Sequence, residues 1–154
     1  MSAFNTPQQV MEAVRDQLSV ISIANGYATD IGRKIFLFDG QRAQTERPSI
    51  AIGARAGVLD RSRDVAADGR PMSPRARNLE FTIEAAIQAT AMTAQAAALL
   101  MLEDIEQAWA VKPAGLPSGV GSIRLGSWNI LDRPDGIDAV VLQILGSADY
   151  IRKA

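Results

Sequence analysis

The sequence predicts an α+β fold: a mixed, mostly antiparallel sheet of about five strands, two helices packed on one face, and a long loop or extended hairpin between strands 2 and 3. Three observations carry this. Leu79, Phe81, Ile83, Ala85 and Ile87 alternate with Asn78, Glu80, Thr82 and Glu84, the period of a strand with one buried face. Two stretches with helical apolar spacing, one opening at Thr6 and one after Thr90, flank the strand segments. Two C-terminal strand segments joined by Asp132, Arg133, Pro134, Asp135 and Gly136 read as an antiparallel hairpin. A chain of 154 residues is most simply one domain, 1–154, and is long enough to bury a core.

Taken in order, Thr6 can cap a helix, Pro7 suits its first turn, and Gln9 sits at the capping-box position. Val10, Val14, Leu18 and Ile21 then form one apolar face, and Asn25 and Gly26 end the helix. Tyr27–Arg33 is mixed, a turn or a short extended piece. Lys34–Phe38 reads as a strand closed by Asp39 and Gly40, and Gln41–Arg47 is a polar connection. Pro48–Ile52 is a second strand, with the proline at its first residue, where it costs no ladder hydrogen bond. After strand 3, Thr90 or Thr93 caps a second helix that reaches Val111; Ala94, Ala97, Met101, Ile105 and Trp109 share a stripe, and Glu103, Asp104 and Glu106 lie off it. Lys112, Pro113 and Gly115 stop that helix. In the strand Ile123–Leu131 the apolar parity changes around Gly126, which predicts a bulge. The last strand, Ile137–Leu145, is apolar on both faces along Ala139–Leu142, so it belongs inside the sheet.

Composition narrows the function. Hydrophobic residues make up 47% and charged ones 21%, an ordinary globular balance, and a formal net charge of −1 points to no partner. Thirteen of the sixteen basic residues are Arg, and Arg suits planar, multidentate protein contacts better than Lys. With no Cys there is no disulfide or thiolate chemistry, and with no His the commonest general base and transition-metal ligand is missing. Met1–Thr6 lacks the basic and apolar regions of a signal peptide, and no apolar run approaches the roughly 20 residues that span a bilayer. A cytosol-like compartment and no membrane partner are expected.

The segment Arg55–Arg77 stands out. It reads as a 23-residue polar insertion between two strands, and so long a connection in a compact domain is usually functional or disordered. Arg55, Arg61, Arg63, Arg70, Arg75 and Arg77 face only Asp60, Asp64 and Asp68, a net +3 that leaves −4 for the rest of the chain. Three readings present themselves. It is a disordered surface loop; or it grips nucleic acid, although it has no aromatic residue on which bases would stack; or it orders against another protein. The small apolar residues Val58, Leu59, Val65 and Met72 favour the last, since a purely solvating loop has no use for them.

Other candidates are better explained without chemistry. Gly115–Ser122 is glycine-rich but lacks the lysine of a phosphate loop and precedes a strand, so it reads as a connector. Asp132, Asp135 and Asp138 fit no calcium-loop spacing and belong to a turn. Glu103, Asp104 and Glu106, crowded on one helix, read as a solvated surface rather than as a catalytic pair, which needs a buried member. Glu80 and Glu84 lie on the polar face of strand 3, either simply solvated or lining a channel or neighbour. No catalytic residue, cofactor or metal is expected.

The opening helix Val10–Ile23, the strand pair with its long insertion, the alternating strand Leu79–Ile87, the alanine-rich helix Ala94–Trp109 and the terminal hairpin follow one another in a recognisable order. This layout, with the local text Asn25–Gly32 followed by Lys34–Phe38, resembles the tail terminator proteins of long-tailed bacteriophages, including the lambda gpU-like group. The resemblance spans nearly the whole chain and rests on size, order and texture rather than on one motif. It implies a non-enzymatic structural protein of the virion tail, assembled in the host cytoplasm. Such a protein caps the head-proximal end of the tail tube as a ring, expected to be a hexamer. It stops tube polymerisation, meets the head–tail connector protein, and passes DNA non-specifically through its lumen. The family has no fixed motif from which contact residues carry over; from charge alone the expected interface residues are Arg55, Arg61, Arg63, Arg70, Arg75, Arg77, Glu80 and Glu84, with the acidic helix face Glu103, Asp104 and Glu106 as the surface an arginine arm would reach. Tail completion or head–tail joining is the alternative within that class. A small enzyme or ligand-binding domain is the alternative outside it, since apolar residues alone can build a pocket.

Overall fold

The computed structural model describes residues 4–37, 46–58, 75–110, 123–131 and 138–152. Two α-helices, α1 (Pro7–Leu18) and α2 (Ala94–Ala110), pack on one face of a five-stranded sheet. The strands are β1 (Ile35–Leu37), β2 (Ser49–Val58), β3 (Arg75–Gln88), β4 (Ile123–Leu131) and β5 (Ala139–Arg152), in spatial order β1-β2-β3-β5-β4. Only β1 and β2 run parallel, with Ile35 opposite Ile50; the other three neighbouring pairs are antiparallel, so the sheet is mixed and mostly antiparallel.

Capping fixes the start of α1. The Gln9 amide donates to Thr6 Oγ1 at 3.2 Å, which satisfies one orphan N–H of the first turn, and the Gln9 side chain accepts from the Asn5 amide at 2.7 Å, which fixes the chain's entry into the helix. Val10, Met11, Val14 and Leu18 are buried, as the spacing predicts. The helix ends at Leu18, well before Asn25. Ser19 Oγ turns back to Asp16 O at 2.7 Å, and the Ile21 amide bonds Leu18 O in a tighter turn. Ile21 still reaches the core. A 3₁₀ turn, Ile23–Asn25, follows; Gly26 closes it at φ 89°, a left-handed conformation that glycine adopts without strain. Tyr27–Arg33 is neither a plain turn nor extended, since Ile31–Arg33 forms a second 3₁₀ turn.

The inward residues of β3, Leu79, Phe81, Ile83 and Ala85, face Ile50 and Ile52 of β2, Leu142 and Ile144 of β5, and both helices. β5 lies between β3 and β4, as its two-sided apolar run requires, and Ala139, Val140, Val141 and Leu142 are all buried. Gly146 lets the Phe81 ring pass: a Cβ there would lie 2.4 Å from the ring tip. α2 presents Ala98, Met101, Ile105 and Ala108 to the core, a stripe turned slightly from the expected one, so that Ala94, Ala97 and Trp109 are only half-buried.

Three strands are longer than their patterns indicated, and this changes the reading of 55–77. β2 continues to Val58 and β3 begins at Arg75, with Ala56, Gly57 and Val58 paired to Glu80, Leu79 and Asn78. The insertion is therefore not structureless from Arg55 to Arg77; both ends are strand. Residues 59–74, with Arg61, Arg63 and Arg70, lie outside the described residues, as do the glycine-rich 115–122 connector, Asp132 and Asp135.

Candidate functional site

The sheet face away from the helices is the broadest candidate surface. Strand alternation puts Arg55, Asn78, Glu80, Thr82, Glu84, Gln143, Asp149 and Arg124 there. Their side chains link neighbouring strands: Arg55 to Glu80 at 3.1 Å, Gln143 Nε2 to Glu84 at 3.2 Å, Asn78 Nδ2 to Asp149 at 3.2 Å, and Arg124 to Asp149 at 3.3 Å. The two arginine pairs are about half exposed, and exposed ion pairs contribute about 0–1 kcal/mol each; the Gln143–Glu84 and Asn78–Asp149 bonds are partly buried. The ladder organises a polar surface more than it stabilises one. At one end of the sheet this face is less polar: Ala51, Ala86 and Val141 are buried, with Leu131 beside them.

The expected interface arginines separate. Arg55 occupies a bulge in β2, since the register shifts between Ala54 and Ala56, and the bulge aims its guanidinium at Glu80. Arg75 opens β3 opposite Arg152 of β5. Arg77 was expected in a polar insertion between the strands; it lies in β3 instead, is only 3% exposed and keeps the inward parity of Leu79. The net +3 of 55–77 thus resides on strand-borne Arg55, Arg75 and Arg77, while Arg61, Arg63 and Arg70 are balanced by Asp60, Asp64 and Asp68.

The acidic helix face also needs correction. Glu103 and Glu106 are exposed, but Asp104 is 3% exposed. Its Oδ1 accepts from the Ala28 amide at 3.0 Å; its Oδ2 accepts from the Thr29 amide at 2.8 Å and from Thr29 Oγ1 at 2.6 Å. Asp104 therefore locks α2 to the connector between the two 3₁₀ turns, an intramolecular task that removes it from any outer surface. Gln17 of α1 adds a second tie, donating to Ala108 O of α2.

One feature was missed in the sequence: a cleft of about 320 Å³ between α2 and the edge strand β4. Leu102, Ile105, Glu106, Trp109 and Ala110 line it from α2, Leu125, Gly126 and Trp128 from β4, and Ile144 from β5. The β4 bulge builds it. Leu125 faces Gly146 and Trp128 faces Ile144, so the register shift across Gly126 and Ser127 brings both side chains to the helix side. Trp128 remains 45% exposed. Both tryptophans of the chain therefore line one cleft.

Among the described residues no group of three or more Asp and Glu converges as a metal site would require, and no helix is long and apolar enough to cross a membrane. Asp138 uses its backbone carbonyl to accept from the Ala89 amide at 3.1 Å. Neither a protein-family model nor a curated protein matches this chain.

Proposed function

We propose that this chain is a structural protein of a phage tail that caps the head-proximal end of the tail tube as a ring, stops tube polymerisation and offers the joint to the head connector. The observation that carries the reading is the one-sided layering of the fold. Both helices cover one face of the sheet, and the other presents a cross-strand polar ladder from Arg124 to Arg55 at the root of the 59–74 segment. A body whose broad features are surfaces rather than a convergent polar pocket fits work done by interfaces. The order of elements, from opening helix to terminal hairpin, supports the same reading.

In this proposal residues 59–74 engage a neighbouring subunit through their specific arginines, since the segment carries no net charge. Replacing Arg61, Arg63 and Arg70 together by Glu takes it from neutral to −6 and should weaken ring formation, read by light scattering and electron microscopy. Rings that form as well as those of the wild type would remove the segment from the mechanism. Capture by the tail tube protein, with the head connector protein as the parallel arm, separates the tube cap from a head–tail joining role. A chain that binds neither refutes the proposal.

A further inference from the structure

We infer that the tryptophan-lined cleft beneath β4 is the acceptor for a second copy of this chain, whose Val20 and Ile23 form the matching knob. The inference deepens the ring proposal and rests on it for the expectation that copies associate. α2 carries no charge from its start at Ala94 to Leu102, and Leu99 and Leu100 are exposed there. A surface helix ordinarily turns a polar face outward, so a helix apolar on both sides has an unfilled contact. Leu99, Leu102 and Trp109 continue along one side of α2, with Trp128 opposite, which extends the cleft into a groove.

The same molecule supplies an exposed apolar pair to fill it. The turn after α1 holds Val20 and Ile23 outward, Ile23 at 60% exposure, and fixes them firmly. The Ile23 amide donates to Asp30 Oδ1 at 2.9 Å, Asn25 Nδ2 donates to Val20 O at 2.9 Å, and the Gly32 amide donates to Ile21 O at 3.0 Å. Exposed Arg33 and Lys34 follow Gly32, so the knob has two cations on its flank beside the one acid, Asp30, that holds the Ile23 amide; the groove has Glu103 and Glu106 on its helix and no basic residue in α2. Arg33 and Lys34 are opposite in sign to Glu103 and Glu106. Position matters as well. Lys34 O accepts from the Ile50 amide at the β1–β2 side of the sheet, whereas the groove lies under β4 at the opposite edge. The connector that holds the knob bonds Asp104 of α2, whereas the groove lies between α2 and β4; two different surfaces of one subunit make a heterologous, head-to-tail contact, the kind that closes into rings.

The test uses the whole chain. Sedimentation velocity across the micromolar range should show wild-type association, accompanied by a shift in indole emission, because both tryptophans lie in the groove. Ile23→Glu spoils the knob and Trp128→Glu the groove; each alone should weaken association roughly tenfold or more. Mixed together they should recover a one-to-one dimer that grows no further, since only one intact knob and one intact groove meet. Val20→Glu and Glu106→Arg form a second pair, and circular dichroism confirms that all variants are folded. Wild-type association that survives in both variants, or a mixture that recovers no dimer, overturns this contact and leaves the ring untouched. A wild-type chain that stays monomeric with constant emission overturns it as well. Failure to bind the tube by a chain that still associates in this way counts against the tail reading alone.

Discussion

Removing the Asp104 carboxylate tests whether a single buried acid holds the 27–30 connector onto α2. In Asp104→Ala three donors lose their acceptor: the Ala28 amide, the Thr29 amide and Thr29 Oγ1. Hydrogen bonds to a charged group contribute about 1.5–3 kcal/mol, and a buried donor left unpaired costs about 1–3 kcal/mol. Thr29 is 3% exposed and its two bonds are buried, whereas the Ala28 bond is partly accessible to water that can replace the acceptor. Two full penalties and a partial one give about 3–4 kcal/mol, a large share of the 5–15 kcal/mol typical of a folded domain. Asp104→Asn keeps one acceptor oxygen but turns an NH₂ group toward N–H donors, so it should cost about 2 kcal/mol. Thr29→Val, which loses only the hydroxyl bond, should cost about 1 kcal/mol. Equilibrium urea unfolding followed by far-UV circular dichroism reads the series as midpoint shifts at constant slope. The double variant should show a coupling of at least about 0.5 kcal/mol. An Asp104→Ala loss below about 1 kcal/mol would show that the connector is held by something else.

Packing offers two further tests and the polar face one. In Gly146→Ala the new methyl meets the Phe81 ring at 2.4–3.0 Å, so the ring must move; a loss of about 1–3 kcal/mol in urea midpoints is expected, and it should shrink when Phe81 is first replaced by Leu. In Gly32→Ala the methyl meets backbone, Leu18 O at 2.3 Å and Ile21 O at 2.6 Å, which cannot swing aside, so its melting temperature should fall further than that of Gly146→Ala. Arg55→Ala removes an exposed pair with Glu80 and should change stability by less than about 1 kcal/mol, with little salt dependence left to lose; a larger thermal shift would mean that the bulge depends on that contact.

Much of the fold was legible because local periodicity decides it. Leu79–Ile87 alternates cleanly, and the apolar run at Ala139–Leu142 has room only inside the sheet. The β4 bulge was visible as a parity change at Gly126, but its consequence was not: that Trp128 joins Leu125 beside α2 depends on which residues β4 faces in β5. Asp104 misled because its partners are backbone groups of Ala28 and Thr29, some 75 positions away, and nothing in a local cluster of acids says which one turns inward. Arg77 was more nearly readable. Carrying the inward parity of Leu79 back one step places it on the helix side, yet its membership of an arginine-rich run suggested solvent instead. The end of α1 depended on Ser19 and Ile21 finding nearby carbonyls, a competition that apolar spacing does not record.

These corrections change what charge can do in assembly. A positive arm drawn to an acidic helix needs a surplus of cations on the arm and a cluster of free acids on the helix. The surplus lies on strand residues, where Arg55 already meets Glu80 and Arg77 is buried, and the acid cluster loses Asp104 to the connector. What remains is a neutral 59–74 segment and a pair of exposed glutamates beside an apolar groove. Long-range attraction between such surfaces is weak and screened within about 8–10 Å at ordinary ionic strength. In the proposed contact, recognition between copies would therefore have to come from close fit: apolar side chains that fill a groove, with the few charges choosing orientation rather than supplying the affinity. If copies associate as proposed, Trp109 and Trp128 should matter more to that association than any arginine of the 59–74 segment.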